Sequence, residues 1–311
     1  MATNAPITVD TGLTNMQVLP VRVAAEFLKA KRNYGKLVNF CNKDAAKELV
    51  SGPGRVVNVP LAPLGGGSAT LTDGNSIVLD NTIENGVAVT LDTYRYCAIA
   101  LSDVARSLSS PSGFESLMAG RMASLLNDIE ADVSAAADAA FTTNVVGTYT
   151  AGLNEDIVAQ AAEKLATARA PEGRWAGFLH PEAMYELSRV PRATEARIVG
   201  AVQNLAPVAT GPVGTYIPMH GINFHMSQAV AKSTNNIDNL VFHPDALLFA
   251  SRPIAPQYDG LGVISKSFNV DGMWVNVRIS ANNNILGAQI VISCLYGVDA
   301  GREDWGCVIR S

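Results

Sequence analysis

SGFESLMAGRMASLLNDIEADVSAAADAAF, residues 112–141, is the stretch on which the fold turns. Phe114, Leu117, Met118, Met122, Leu125, Ile129, Val133, Ala136 and Ala140 recur at three- and four-residue steps, the period of one helix face. Ser112 with Glu115, just after Pro111, matches a capping box, in which hydroxyl and carboxylate satisfy the first free backbone donors. Thirty residues at about 1.5 Å each make a rod of about 45 Å. Asp128, Glu130, Asp132 and Asp138 leave its second half acidic.

Working outward toward the N-terminus, residues 51–96 read as one long hairpin. Gly52-Pro53-Gly54 opens it, and Val56, Val57, Val59 and Leu61 form the outgoing strand. Val87, Val89 and Leu91, alternating with Ala88, Thr90 and Asp92, form the return. Gly65-Gly66-Gly67 and Asp73-Gly74 supply the tip. Between Arg55 and Arg95 there is no cation, only Asp73, Asp80, Glu84 and Asp92. Isolated hairpins are marginal in water, so this ribbon is expected to rest on something else. Before it, residues 1–50 hold seven cations against four acids, a balance of +3, so the remaining residues carry −8. Pro20 suits a first helical position, with Val21, Ala24, Ala25 and Leu28 as a short apolar face. The arm's cations read first as a solvated helix face, the functional alternative being an arm beside polyanion.

Toward the C-terminus, Asn154 is a natural cap for a helix over 154–169, buried along Ile157, Ala161, Leu165 and Ala168. Trp175 to Leu179 reads as a strand running into His180-Pro181-Glu182-Ala183. The same texture returns in Leu240-Val241-Phe242 and His243-Pro244-Asp245-Ala246, each predicting a helix with proline at its first position. From Leu286, the residues Ala288, Ile290, Ile292, Cys294 and Tyr296 alternate with Gln289, Val291, Ser293 and Leu295, a strand buried mostly on one face.

Composition narrows the function. The chain has 311 residues, 48% apolar and only 16% charged, with a net charge of −5. A disordered chain would be richer in charge, and a dedicated nucleic-acid binder would be basic. The scarcity of charge points to surface that faces other protein. The first 21 residues hold no Lys or Arg and include Asp10, the reverse of a secretory leader. The uncharged run 198–231 is broken by Pro207, Gly211, Pro212, Gly214, Pro218 and Gly221, so no membrane span is expected. Cys41, Cys97, Cys294 and Cys307 are too scattered for zinc and read as small buried thiols of a reducing compartment. His180 and His243 read as caps, and His220 and His225 as opposite faces of a strand. No nucleophile elbow exists, and Gly65-Gly66-Gly67-Ser68 lacks the lysine and helix of a phosphate loop. No catalytic, cofactor-binding or metal site is expected.

The order of these elements resembles the major capsid proteins of tailed bacteriophages, the Hong Kong 97-type capsid fold. The matching segments are Val56–Leu61 with Val87–Thr93, the helix Ser112–Phe141, FLHPEAMYEL at 178–187, VFHPDALLFASRP at 241–253, ILGAQIVISCLYGV at 285–298 and the closing WGCVIR. The resemblance covers nearly the whole chain. It implies an α+β fold with an N-terminal arm (1–50) and an extended β-hairpin loop, or E-loop (51–96). A peripheral domain (97–150 and 265–311) would carry the spine helix 112–141, beside a mixed α/β apical domain (151–264).

It further implies a structural protein of the virion, not an enzyme. Hexamers and pentamers would self-assemble in the host cytoplasm into an icosahedral shell around packaged double-stranded DNA. The implied partners are further copies of the chain, a portal protein, a scaffolding or decoration protein, and DNA held without sequence preference; no membrane is involved. The alternatives are an encapsulin-type nanocompartment shell and, from another class, an enzyme with an unrecognised site. Some family members crosslink through a lysine of the extended loop; residues 54–94 hold none, so a noncovalent shell is expected. A long charged N-terminal scaffolding region is also missing, so a separate scaffolding protein or none is expected. Asp73, Asp80, Glu84 and Asp92 are expected to meet Arg95, Arg106 or Arg121 of a neighbour, while Lys29, Lys31, Arg32 and Lys36 would face DNA.

Overall fold

A computed structural model of the chain describes residues 23, 25–31, 35–43, 56–61, 85–102, 111–149, 152–189, 216–233, 236–254, 263–282 and 287–311. In chain order these begin with α1 (25–31), α2 (Lys36–Phe40), β1 (Val56–Leu61), β2 (Asn85–Thr90), β3 (Thr93–Ser102) and the long helix α3 (Pro111–Ala140). There follow β4 (Val145–Gly147), α4 (Glu155–Thr167), β5 (Trp175–Leu179) and α5 (Pro181–Arg189). The chain closes with β6 (Tyr216–Met219), β7 (Ile222–Met226), β8 (Lys232–Ser233), β9 (Asn236–Phe242), β10 (Leu247–Arg252), β11 (Val263–Val270), β12 (Met273–Asn282), β13 (Gly287–Ala300) and β14 (Gly306–Arg310).

The expected rod is there, in one piece of 30 residues. It starts at Pro111, so Ser112 lies inside the helix rather than capping it. Met122, Leu125, Ile129 and Val133 face the core as their spacing requires. Past Val133 the stripe continues through Ala137 and Phe141, four residues apart each time, rather than through Ala136 and Ala140.

One sheet runs β10-β13-β12-β11, with β3 also on β13. Along β13, β12 pairs with 287–293 and β10 with 295–300, while β3 pairs with 287–296. Because β3 overlaps both, it occupies the opposite edge of β13. Ile290, Ile292, Cys294 and Tyr296 of β13 are buried, as alternation predicts. A second, mixed sheet runs β4-β14-β9-β5-β7-β6, with β8 on β9. The β5–β7 and β14–β4 pairs are parallel, the others antiparallel. Asn154 caps α4, its Oδ1 accepting from Ile157 N at 3.0 Å. One apolar cluster joins both sheets, α1 to α5 and β14.

Two local expectations change. His243-Pro244-Asp245-Ala246 forms a single 3-10 turn, and Leu247 immediately starts β10, because LLFASR pairs along 295–300 of β13. Strand pairing also runs across the bounds expected for the domains, which it does not by itself redraw. β10, placed with 151–264, pairs with the closing strands, and β14, placed with 265–311, pairs with β9. Strand partners are chosen by long-range packing, which local texture does not report. Finally, the arm's buried face is Val23, Phe27 and Ala30, at steps of four and three, while Ala25 is exposed.

The ribbon's stem is formed by β1 and β2, antiparallel with Val56 opposite Thr90 and Leu61 opposite Asn85. Val57, Val59, Val89 and Leu91 pack on Leu248 and Ala250, so the stem rests on β10 of its own chain. The segment 62–84, including the expected tip, lies outside the described residues, as does most of the uncharged run 198–231.

Candidate functional site

Burial disposes of the thiols as nucleophiles. Burial pushes Cys41, Cys294 and Cys307 up to about 12 and Cys97 to about 11, so all four stay protonated near neutrality. His180 Nδ1 accepts from Glu182 N at 3.4 Å and His243 Nδ1 from Asp245 N at 3.3 Å, the capping role expected of both. His225 stacks on Phe178 at 5.8 Å, while His220 lies 3.5 Å from Glu155. Among the described residues no three His, Cys, Asp or Glu gather into a group able to hold a metal ion, and no helix is long and apolar enough to cross a membrane.

The chemistry that is concentrated lies on the acidic half of α3. Glu130 is 2% exposed. Its Oε2 accepts from Leu37 N and its Oε1 from Val38 N, both at 2.8 Å, so it caps the first turn of α2 from another part of the chain. Burial pushes its carboxyl up to about 7, against the pull of those N–H groups and of Lys43 and Lys36. Asp132, two residues on, points to the sheet. Arg95 of β3 donates to it twice, Nε to Oδ2 at 3.0 Å and Nη2 to Oδ1 at 2.7 Å, and the Tyr296 hydroxyl of β13 donates to Oδ2. This bidentate pair fastens helix to sheet with fixed geometry.

Burial opposes Asp132's charge, yet the Arg95 and Tyr296 hydrogen bonds hold its carboxyl below the usual range. A depressed folded value contributes stability above the unfolded carboxylate range, lost as pH falls through the folded one. Asp132→Asn is expected to cost on the order of 1 kcal/mol at pH 7, discounted for the water that still reaches Arg95. The deficit should shrink between pH 7 and about pH 3, as the pH falls through the usual carboxylate range. Thermal melts at both pH values check this, and a deficit that stays constant between them overturns it.

The expected contact residues fall into three groups. Asp73, Asp80, Glu84, Arg106 and Arg32 lie outside the described residues. Arg121 is exposed on α3 and Asp92 is exposed beside the stem, accepting from its neighbour Thr93 Oγ1 at 2.9 Å. Arg95, expected to reach another subunit, is engaged by Asp132 of its own chain.

The DNA-facing expectation changes most. Lys31 is fully buried, its Nζ donating to Val270 O at 2.6 Å and Asp271 O at 3.0 Å. Lys36 Nζ donates to Met226 O at 2.7 Å. Only Lys29 of the described three is exposed, and it pairs with Glu26 at 2.6 Å. Lys31 serves the fold because the β11–β12 turn offers it two carbonyls, and Lys36 because Met226 at the end of β7 offers one. Asp271-Gly272, both at positive φ, is the tight-hairpin dipeptide that announces such a turn in a sequence.

No protein-family model matches the sequence, and no curated protein matches it. Solved structures do. The capsid of Ralstonia phage GP4 superposes with a TM-score of 0.59 at 13% identity, covering 90% of this chain and 90% of that one. A structure of Mycobacterium phage Che8 gives 0.56 at 17% identity, over 88% and 90%. The capsid of cyanophage P-SCSP1u gives 0.54 at 15%, over 84% and 84%. The likeness is one of fold, and it extends over most of each chain. The α+β Hong Kong 97-type fold implied by the resemblance is the fold this chain adopts.

Proposed function

We propose that this chain is the major capsid protein of a tailed phage. It is a structural subunit, without catalytic role, that assembles through hexamers and pentamers into an icosahedral shell around double-stranded DNA. The observation that carries this reading is the fold shared with the GP4 capsid along 90% of both chains. Two features of the surface support it. Tyr94 and Tyr96 stack at 6.3 Å on the outer face of β3 and are 53% and 65% exposed. Apolar surface of that kind in a chain so poor in charge suits contact with another subunit.

On this reading 62–84 is the tip of the extended loop, and its acids Asp73, Asp80 and Glu84, with Asp92, meet Arg106 or Arg121 of a neighbour. Such exposed pairs are worth about 0–1 kcal/mol each, so their repetition around the shell matters more than any one. Lys29 and Arg32 are the arm cations left to approach DNA. A portal protein, a scaffolding or decoration protein and a virion location follow from the same role.

Negative-stain microscopy of the expressed chain is the test. Closed polyhedral particles are expected; a monodisperse soluble monomer at all concentrations overturns the reading. A cargo enzyme inside particles from the native source, in place of DNA, would favour the encapsulin alternative.

A further inference from the structure

The arm and the body meet through ionisable groups hidden on both sides of the contact. The body contributes Glu130, whose two oxygens are taken by the N–H groups of Leu37 and Val38. The arm contributes Lys31, whose ammonium is taken by the carbonyls of Val270 and Asp271. Lys43 Nζ reaches the same Asp271 carbonyl at 3.2 Å. Just beyond α2, Asn42 N donates to Pro244 O and Leu247 O at 3.1 and 3.0 Å, and Asn42 O accepts from Phe249 N at 2.9 Å. Each buried charge is screened from water by backbone of the other partner. Both return to water if the arm lifts.

We propose that the described residues of the arm, 23, 25–31 and 35–43, form a pH-gated strap whose hold on the body is weakest near neutrality and tightens toward both acid and alkali. The two limbs have separate origins. Docked Glu130 titrates at about 7, whereas a carboxyl returned to water titrates near 4.5. Between those values the docked form binds more protons, so docking weakens as pH rises toward 7. Docked Lys31 is pushed down to about 7 by burial and by Lys43, from 10.5 in water. Between 7 and 10.5 the lifted form binds more protons, so docking strengthens as pH rises.

The groups facing these two are accounted for. Lys36 and Lys43, both lowered chiefly by burial, reinforce the alkaline limb. Cys41 beside Glu130 and Cys294 beside Lys31 titrate at about 12, outside both limbs. The Asp271 carboxylate favours the charged forms of Lys31 and Lys43. His225, lowered by burial and by Lys36, opposes the acid limb, and Glu130→Gln separates the two.

The strap stands apart from the shell role, and the unassembled full chain tests it. Hydrogen-exchange protection of the Leu37–Asn42 amides, corrected for intrinsic rates, is read at pH 5, 7 and 9. It is expressed relative to Leu240–Phe242 of β9, so that global unfolding cancels. Protection at pH 7 should be lower than at either extreme by on the order of tenfold or more. Glu130→Gln should abolish the acid rise alone, and Lys31→Met should reduce the alkaline rise alone, to the part that Lys36 and Lys43 supply. A flat or one-sided wild-type profile overturns the proposal, as does an acid rise that survives in Glu130→Gln. Should that variant not fold, an alkaline rise that is undiminished in Lys31→Met overturns it equally.

Discussion

Phe242→Ala is expected to lower the unfolding free energy by about 3–5 kcal/mol, the range for emptying a buried phenylalanine site. Three parts of the chain converge on this ring. Phe40 of α2 meets it edge-on at 5.5 Å, Phe178 of β5 stacks on it at 5.5 Å, and Phe141 at the end of α3 lies 5.9 Å away. The ring is fully buried, and such aromatic pairs add about 0.5–1.5 kcal/mol beyond the area they hide. Alanine leaves a cavity that cannot close, since its walls belong to the arm, the long helix and two strands of one sheet. Phe242→Leu keeps most of the volume and should cost less than half as much, so the pair of variants separates packing from mere disturbance of β9. Denaturant titration of the unassembled chain measures both. A loss for Phe242→Ala below about 1 kcal/mol would show that the three elements do not depend on one another there. The arm should respond as well, because Phe40 loses its partner while the hydrogen bonds around Asn42 remain.

Periodic features were readable from the sequence, and relationships between distant segments were not. The long helix, the cap at Asn154 and the alternation through Ile290 to Tyr296 each depend on residues within a turn or a pleat, where side-chain spacing and backbone period coincide. The histidine caps are equally local, one side chain and one N–H two residues on. The placing of β10 and β14 depended on which strand lies alongside, a choice spanning scores of residues. Glu130 shows the limit most clearly. As the second acid in a run of helical acids it reads as solvated, and nothing within ten residues of it hints that Leu37 and Val38 present two free N–H groups to its oxygens. Arg95 and Lys31 follow the same logic, since a cation's partner is invisible until the fold brings a carboxylate or a bare hairpin carbonyl beside it. Asp271-Gly272 announces that turn, but not what fills it. The shared lesson concerns charge. A chain with only 16% charged residues places several of the described ones inside, as fasteners between elements, rather than on the solvent face.

Gly297→Ala carries the largest expected effect on the ribbon. Gly297 lies in β13 opposite Ala250 of β10, where the return strand of the ribbon crosses over the sheet. A Cβ built there would overlap the Thr90 carbonyl oxygen and come within 2.8 Å of the Thr90 carbonyl carbon and 3.3 Å of Leu91 Cα. All three are backbone atoms, so no rotamer change relieves the clash. β13 cannot retreat, because it is hydrogen-bonded along both edges. The ribbon must lift instead, uncovering Val57, Val59, Val89 and Leu91, which are now buried against Leu248 and Ala250. Overpacking alone costs about 1–3 kcal/mol, and exposing the stem adds the lost transfer energy of those side chains at about 25 cal/mol per Å2. Gly120→Ala is the matched control, an exposed helical glycine whose added methyl meets nothing within 4 Å, and it should be neutral or slightly stabilising. Limited proteolysis should therefore cut Gly297→Ala near 56–61 and 85–91 much faster than wild type or Gly120→Ala, while the body resists as before. If the chain builds a shell, the same variant should give few closed particles, because a lifted stem aims residues 62–84 away from the neighbour they are proposed to meet. Cleavage no faster than in Gly120→Ala would mean that the crossing tolerates a methyl group and that the stem is not held by this close approach.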